Sequence, residues 1–205
     1  ITEALLFHFP ILDTCDLLVK KKKGKITQRD IVENTGLALG TVNNEVKKLK
    51  ELGLIMANNV TDAGVNAMEP YKVRKAIFLA AGFGSRLVPI TFNTPKPLVR
   101  VHGTRIIDTL LDAVLAAGIS DITIVRGYLS EQFDQLLYKY PMINFVENPA
   151  YLESNNISSA LCVRYMFSNS YVFESDLYLI NKSLITPYQY SSNYLGVKVD
   201  KTDDW

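Results

Sequence analysis

The stretch LAAGFGSRLVPITFNTPKP, Leu79 to Pro97, gathers the residues of this sequence best suited to chemistry. Gly82 and Gly84 lack a Cβ, so backbone N–H groups beside them can approach a phosphate closely. Arg86 and Lys96 add two cations about ten residues apart, and Pro95 and Pro97 stiffen the chain on either side of the lysine. Two cations on a braced loop suit a triphosphate whose charge must be neutralised while its α-phosphate is attacked. Two familiar phosphate loops do not fit. A dinucleotide fingerprint needs a third glycine, but Leu87 stands there, and a Walker A loop needs a Gly-Lys-Ser/Thr tripeptide that the sequence lacks. A solvent turn with incidental charges leaves the Pro-Lys-Pro unexplained.

Such a loop has to be held by regular elements, and from Lys75 onward the sequence alternates between strand and helix patterns. KAIFLAA is a continuous apolar run of strand length, as expected for a buried parallel strand. After the loop come a helix RIIDTLLDAVLAAG, a strand DITIVRG, a helix near LSEQFDQLLYKY, a strand INFVENP, a helix starting near NNISSALCVRYMF and a strand YVFESDLYL. This order predicts an α/β domain, 75–205, with a Rossmann-like, mostly parallel sheet and helices on both faces. Ligands of such sheets bind beyond the carboxyl ends of the strands, where the candidate residues fall.

Residues 1–70 follow a different pattern. Thr27 is placed to cap a helix QRDIVENTG that Gly36 ends, and a second helix begins near Leu39 with Val42, Val46, Leu49 and Leu52 at three- and four-residue steps until Gly53. The run ITQRDIVENTGLALGTVNNEVKKLKELGLI resembles the helix-turn-helix of winged-helix domains, with VTDAGVNAMEP where the wing and following helix usually come. That resemblance implies a second helix presenting Thr41, Asn43 and Asn44 to DNA. Acids and bases balance over residues 1–70, which argues against a binding mode built on many phosphate contacts and leaves dimerisation or effector coupling as the other role. The run Lys20–Lys23 with Lys25 reads as a solvated helix end or a phosphate-contacting patch.

The 205 residues carry 22 Lys and Arg against 21 Asp and Glu, so no global charge draws the chain to nucleic acid or an anionic membrane. Cys15 and Cys162 stand apart and suggest neither a zinc site nor a disulfide framework. The longest apolar runs are interrupted by charges such as Asp108 and Asp112, far short of the ~20 residues of a membrane span. No signal peptide is seen, and the expected compartment is the cytoplasm; the initial Ile suggests that the natural N-terminus lies further upstream.

The segment LAAGFGSRLVPITFNTPKPLVRVHGTRIIDTLLDAV resembles the L-A-A-G-x-G-S/T-R-(x)n-P-K-P-L signature of nucleotidyltransferases that join a nucleoside triphosphate to a phosphorylated sugar or alcohol. The resemblance implies that the backbone of Leu79, Ala80, Ala81, Gly82 and Gly84 holds the nucleotide, with Ser85 capping or contacting phosphate. It assigns Arg86 to the β- and γ-phosphates and Lys96 to the α-phosphate and the attacking phosphate. No covalent enzyme intermediate is implied, since the acceptor's own phosphate oxygen attacks. Asp176 stands where the family has its strand-terminal aspartate, a Mg²⁺ ligand, although a helix N-cap would also use an Asp. The family's second metal carboxylate lies further downstream, and Asp200, Asp203 and Asp204 do not match it in position, so a truncated catalytic domain is expected. Tyr128 in VRGYL sits where the family's loop approaches the base.

For the acceptor, ENPAYLESNNISSAL resembles a segment of the bacterial phosphocholine cytidylyltransferases, through Asn148, Tyr151, Ser154, Asn155, Asn156 and Ser159. Asn155 and Ser159 are thereby acceptor candidates and Asn156 a nucleotide contact, while Ser154 or Asn155 could equally cap the following helix. A choline head group requires aromatic faces, and Tyr188, Tyr190, Tyr194 and Trp205 gather near the end of the sequence. DKTDDW resembles an acidic-plus-tryptophan stretch of the choline enzymes, which makes Trp205 with Asp203 or Asp204 a candidate cage; alternating tyrosines also suit strand packing. The expected reaction is CTP plus phosphocholine giving CDP-choline and pyrophosphate with Mg²⁺. The alternatives are a sugar-1-phosphate nucleotidyltransferase using UTP or dTTP, and a DNA-binding regulator whose second domain senses a nucleotide.

Overall fold

A computed structural model describes residues 27–57, 59–153 and 156–194. These fall into two compact units: one holds the described residues up to Tyr71 together with those from Tyr188 on, and the other is Lys72–Pro187.

In the first unit, helix α1 (Gln28–Thr35) opens with a capping box. The Asp30 N–H donates to the Thr27 hydroxyl at 3.2 Å, and the Thr27 N–H donates to the Asp30 carboxylate at 2.8 Å. Gly36, at φ +69°, ends the helix and donates its N–H to the Val32 carbonyl. Helix α2 (Leu39–Glu51) buries Val42, Val46 and Leu49 against Ile31, Ile55 and Met68, and carries Lys48 and Lys50 in its last turn, where cations favour the helix dipole. A short antiparallel pair, β1 (Ile55–Met56) and β2 (Asn59–Val60), then precedes helix α3 (Asp62–Met68), which Thr61 caps. The sequence reading missed this hairpin, because its strands are two residues long and the positive φ that bends it belongs to Ala57, not to a glycine. Gly64 admits no side chain: a Cβ there would come within 2.2 Å of the Leu54 carbonyl oxygen.

The unit is closed by residues that lie far along the chain. Tyr188 and Tyr190 pack against its core, Tyr190 stacks on Tyr71 at 5.7 Å, and the Gln189 N–H donates to the Tyr71 carbonyl at 2.8 Å. The described residues after Pro187, Tyr188 to Tyr194, therefore belong with the helices, whereas the sequence suggests a second domain running through 75–205. The tyrosines add apolar cover to the described helices and hairpin of this unit.

The second unit is built on four parallel strands, β3 (Lys75–Leu79), β6 (Asp121–Arg126), β7 (Ile143–Glu147) and β8 (Ser170–Glu174), in the order β7-β6-β3-β8. Between β3 and β6 lie a hairpin, β4 (Arg100–Val101) with β5 (Thr104–Arg105), and helix α4 (Ile106–Ala116). Strand alternation sends Ala76, Phe78, Ile122 and Ile124 to one face, where Ile107, Leu110, Leu111 and Val114 of α4 cover them together with Phe133 and Leu136. Each fully buried Val, Leu, Ile or Phe side chain among these stabilises the fold by about 1.5–3 kcal/mol. Ile77 and Val125 point to the other face, against Val163, Cys162 and Met166. The last of these follow helix α5 (Asn156–Cys162), so helices lie on both faces as expected.

Two elements differ from expectation. Ser130–Tyr138 is a 3₁₀ coil, not an α-helix. Its buried Phe133 and Leu136 are three residues apart, a step that aligns side chains in either coil, so the spacing did not discriminate between them. The α5 helix stops at Cys162 and gives way to a 3₁₀ turn, Arg164–Met166, where a single longer helix was expected. Asp112 of α4 ties the coil to the helix by accepting from Lys139 Nζ at 3.0 Å, Tyr140 OH at 2.8 Å and Lys182 Nζ at 3.3 Å.

Candidate active site

Register brings the carboxyl ends of the strands level. Leu79 pairs with Val125 on one side and with Glu174 on the other, and Arg126 pairs with Glu147. Three bonds at the strand ends set where the glycine loop leaves the sheet: Ala80 N–H to Val125 O, Tyr128 N–H to Ala81 O, and Ser175 Oγ to Leu79 O at 2.7 Å. Ala80 and Ala81 are buried, and Gly82 is exposed with nothing within 4 Å of where its Cβ would lie. Gly84 is left-handed, at φ +71°, and a Cβ there would press to 3.2 Å on both Lys96 and Thr91. Its carbonyl accepts from the Thr91 hydroxyl at 3.1 Å, which folds the loop back on itself.

Ser85 and Arg86 lie exposed in the 3₁₀ turn Ser85–Leu87. Lys96 begins the next-but-one turn, Lys96–Leu98, with Pro97 and Leu98 buried beneath it. Its ammonium meets the Asp176 carboxylate, Nζ to Oδ2 at 2.5 Å, and each side chain is 31% exposed. The sequence-predicted lysine and metal carboxylate, eighty positions apart, are thus in direct contact. Two residues before Asp176, Glu174 accepts from the Asn156 side-chain amide at 3.0 Å. Asn156 is the first residue of α5, so this bond ties the helix start to the end of β8.

The other candidates fall in different surroundings. Tyr128 donates its hydroxyl to the Phe92 carbonyl at 3.1 Å and meets the Phe83 ring edge-on at 4.7 Å. Ser159 is buried and accepts from the Asn148 amide at 3.0 Å; the same amide donates to Ser158 Oγ. Tyr190 belongs to the first unit, stacked on Tyr71. Asn155, Trp205, Asp203 and Asp204 lie outside the described residues, as do Ser154, Cys15 and the lysine run before Ile26. At the end of β6, partial burial works against the Arg126 charge, but bonds to Asp134 and Glu147 outweigh it and hold the guanidinium above its ordinary pKa.

Sequence reasoning missed Thr91, Glu174 and Gln132 as residues that shape the site. Thr91 lay inside the quoted loop, but its bond to Gly84 had no motif to announce it. Gln132 reaches Asn93 across 39 positions, a contact set by the sheet and not by local pattern.

A parallel α/β sheet with a glycine loop at one strand end and a lysine-carboxylate pair beside it defines a protein class that handles nucleotide phosphates. Residues 75–180, about half of the chain, match the family model described as Nucleotidyl transferase, and the chain belongs to that family. Residues 20–56 match a second model, Winged helix-turn-helix DNA-binding. Among curated proteins the chain is 41% identical over 133 residues to the 2-aminoethylphosphonate cytidylyltransferase of Lancefieldella rimae, covering 63% of this chain and 54% of the relative. It is 40% identical to the choline-phosphate cytidylyltransferase of Streptococcus pneumoniae, covering 64% and 57%. The chain thus spans little more than half the length of these relatives. A solved structure of the Streptococcus pneumoniae CTP:phosphocholine cytidylyltransferase superposes with a TM-score of 0.52 at 44% identity, over 54% of this chain and 48% of that one. No helix among the described residues is long and apolar enough to cross a membrane.

Proposed function

We propose that the second unit contributes to transfer of a cytidylyl group from CTP to an amino-alcohol phosphate such as phosphocholine, with release of pyrophosphate. The observation that carries this reading is the contact of Lys96 with Asp176 beside the glycine loop. The loop backbone from Leu79 to Gly84 cradles the nucleotide, with Ser85 at its edge, and Arg86 neutralises the β- and γ-phosphates as pyrophosphate departs. Lys96 leaves Asp176 to bridge the α-phosphate and the attacking phosphate. An ion pair this open to solvent holds its partners by only about 0–1 kcal/mol, so an incoming triphosphate readily displaces it.

Displacement also frees Asp176 for a cation. No three His, Cys, Asp or Glu side chains converge on a metal site among the described residues. Mg²⁺ commonly takes only one or two carboxylates and completes its shell with phosphate oxygens and water, which suits Asp176 as its protein ligand here. When bound, the ion would share the charge of the triphosphate.

The acceptors named for the Lancefieldella rimae and Streptococcus pneumoniae relatives, which match over 133 and 131 residues, both join a cationic nitrogen to a phosphate or phosphonate, whereas mannose-1-phosphate guanyltransferases match over only 66 residues; this supports an acceptor of the first kind over a sugar phosphate. Asn155 and Trp205 remain the acceptor candidates, with Asn156 beside the nucleotide; Ser159 and Tyr190 are engaged within their own units, and Tyr128 bonds the Phe92 carbonyl. A second reading, a nucleotide-sensing DNA-binding regulator, draws support from the winged-helix match and from Thr41, Asn43 and Asn44, exposed in the first turns of α2. Pyrophosphate release by the full-length protein, screened over four nucleoside triphosphates with phosphocholine, 2-aminoethylphosphonate and a hexose 1-phosphate, separates these. Turnover of CTP with a cationic acceptor is expected. Turnover of UTP or dTTP with the hexose phosphate alone would overturn the acceptor, and CTP binding without turnover would favour the regulator.

A further inference from the structure

The limb of the loop between Gly84 and Lys96 contains only short 3₁₀ turns, and its backbone bonds, such as Leu87 N–H to Gly84 O and Phe92 N–H to Pro89 O, close within each turn. Turns of that length do not hold a limb in place by themselves. Two side chains from the segment after β6 reach it instead. Tyr128 donates its hydroxyl to the Phe92 carbonyl at 3.1 Å, and Gln132 donates its amide to the Asn93 carbonyl at 2.9 Å. Phe83 packs between the Tyr128 and Phe92 rings, 4.7 and 6.2 Å away.

Gln132 is in turn held by a chain of bonds that ends in the protein interior. Gln135 donates its amide to the Gln132 carbonyl at 2.9 Å, while its side-chain oxygen accepts from Arg105 Nη1 at 3.2 Å. An arginine only donates, so it fixes the Gln135 oxygen toward itself and turns the amide nitrogen outward. Arg105 itself is locked by two Nε contacts, 3.1 and 3.0 Å, to both oxygens of Asp108 in the first turn of α4. These side chains are only 10% and 9% exposed. A buried ion pair adds little net stability but holds one geometry firmly. The proposed chemistry makes no use of it.

We propose that Tyr128 and Gln132 are positioning residues, a clasp anchored through Gln135 on the buried Arg105–Asp108 pair, that fixes the loop limb on which Lys96 rides. The proposal rests on the reading that Lys96 serves the phosphates. It assigns Tyr128 a strap in place of the contact to the base expected from sequence.

The test uses the full-length protein with Gln132→Glu, which keeps the shape but sets an acceptor against the Asn93 carbonyl, together with Tyr128→Phe, which keeps the ring contacts. Neither residue lies in the apolar core, so both variants are expected to fold. Amide hydrogen exchange without ligand should accelerate about tenfold over residues 88–95 in the double variant, with β3 and β6 unchanged. For CTP with phosphocholine, kcat should fall about tenfold while the CTP KM stays within about threefold. In a Lys96→Ala background the same pair of changes should alter kcat less than about twofold, because a clasp acting through Lys96 has nothing left to position. Unchanged exchange over 88–95 would overturn the clasp, and a full tenfold further loss in the Lys96→Ala background would overturn its link to Lys96. The exchange measurement needs no turnover, so it judges the clasp even if the parent protein proves inactive with every nucleotide, the outcome that would defeat the proposed function alone.

Discussion

The first unit places its exposed polar residues by local rules, whereas the second assembles its site from segments far apart in the chain. Thr27, Asp30 and Gly36 cap α1 within ten positions, and α2 then exposes Thr41, Asn43 and Asn44 simply by its own periodicity. Lys96 and Asp176 meet only because β3 pairs with β8 in one register, and Leu79 accepts from Ser175 to hold it. The contrast separates two kinds of surface: one that survives as long as its helix does, and one that depends on strand register and on loop anchorage.

Breaking each kind should give different signatures. Lys96→Ala has the largest expected effect, a fall in kcat of about 10²–10³-fold in the cytidylyl transfer assay. Its thermal melt should match the parent's, because Lys96 sits in a partly exposed loop. Gly64→Ala should do the reverse. Its Cβ would meet the Leu54 carbonyl oxygen at 2.2 Å and Val60 Cγ1 at 2.7 Å, so backbone has to move, destabilising the first unit by about 1–3 kcal/mol. Calorimetry with hydrogen exchange over α1–α3 would locate that loss, and exchange in β3 and β6 should stay at parental rates.

Much of this division was legible in the sequence, for reasons the same contrast explains. Caps and glycine stops are read within a few residues, so α1 and α2 emerged with their faces assigned. The strands KAIFL and DITIVR carry buried apolar runs and INFVE a shorter apolar run, each between turn signals, and the loop signature named its lysine. What was not legible depends on distant partners. Nothing within LSEQFDQLLYKY distinguishes an α-helix from the 3₁₀ coil, since Phe133 and Leu136 align in both. The hairpin at Ile55–Val60 bends at Ala57, a residue with no turn preference of its own. Composition and spacing alone make Tyr190 an acceptor candidate or a packing residue; its stacking partner, Tyr71, lies more than a hundred positions earlier and is invisible to either pattern.

That tyrosine tests how far the first unit is really local. If Tyr188 and Tyr190 complete its core, Tyr190→Ala should destabilise α1–α3 by about 1–2 kcal/mol through lost burial and stacking. Hydrogen exchange of those helices would report it. An unchanged first unit would mean that the helices are self-sufficient and that the returning segment merely rests on them.

The smallest expected effect belongs to Asp112 in the second unit, and its sign is fixed by its neighbours. Burial raises the carboxyl's pKa, but the bonds from Lys139, Tyr140 and Lys182 outweigh burial and leave it below its ordinary value. The folded state therefore binds this proton less tightly than the unfolded chain does. The resulting stabilisation is fully present above pH ~4, the unfolded carboxylate value, and disappears as pH falls through the lower folded value. Burial and the adjacent carboxylate push the Tyr140 hydroxyl well above its usual range, so it stays a neutral donor through the acid limb. Asp112→Asn should thus cost up to about 1 kcal/mol at pH 7 and flatten the acid limb of a stability-against-pH curve below pH ~4. A variant whose acid limb coincides with the parent's would show that the three donors hold the α4 surface without favouring the charged carboxylate. The register that brings Asp176 to Lys96 should be untouched in either case, since Asp112 anchors the coil and the Lys182 turn, not the strands.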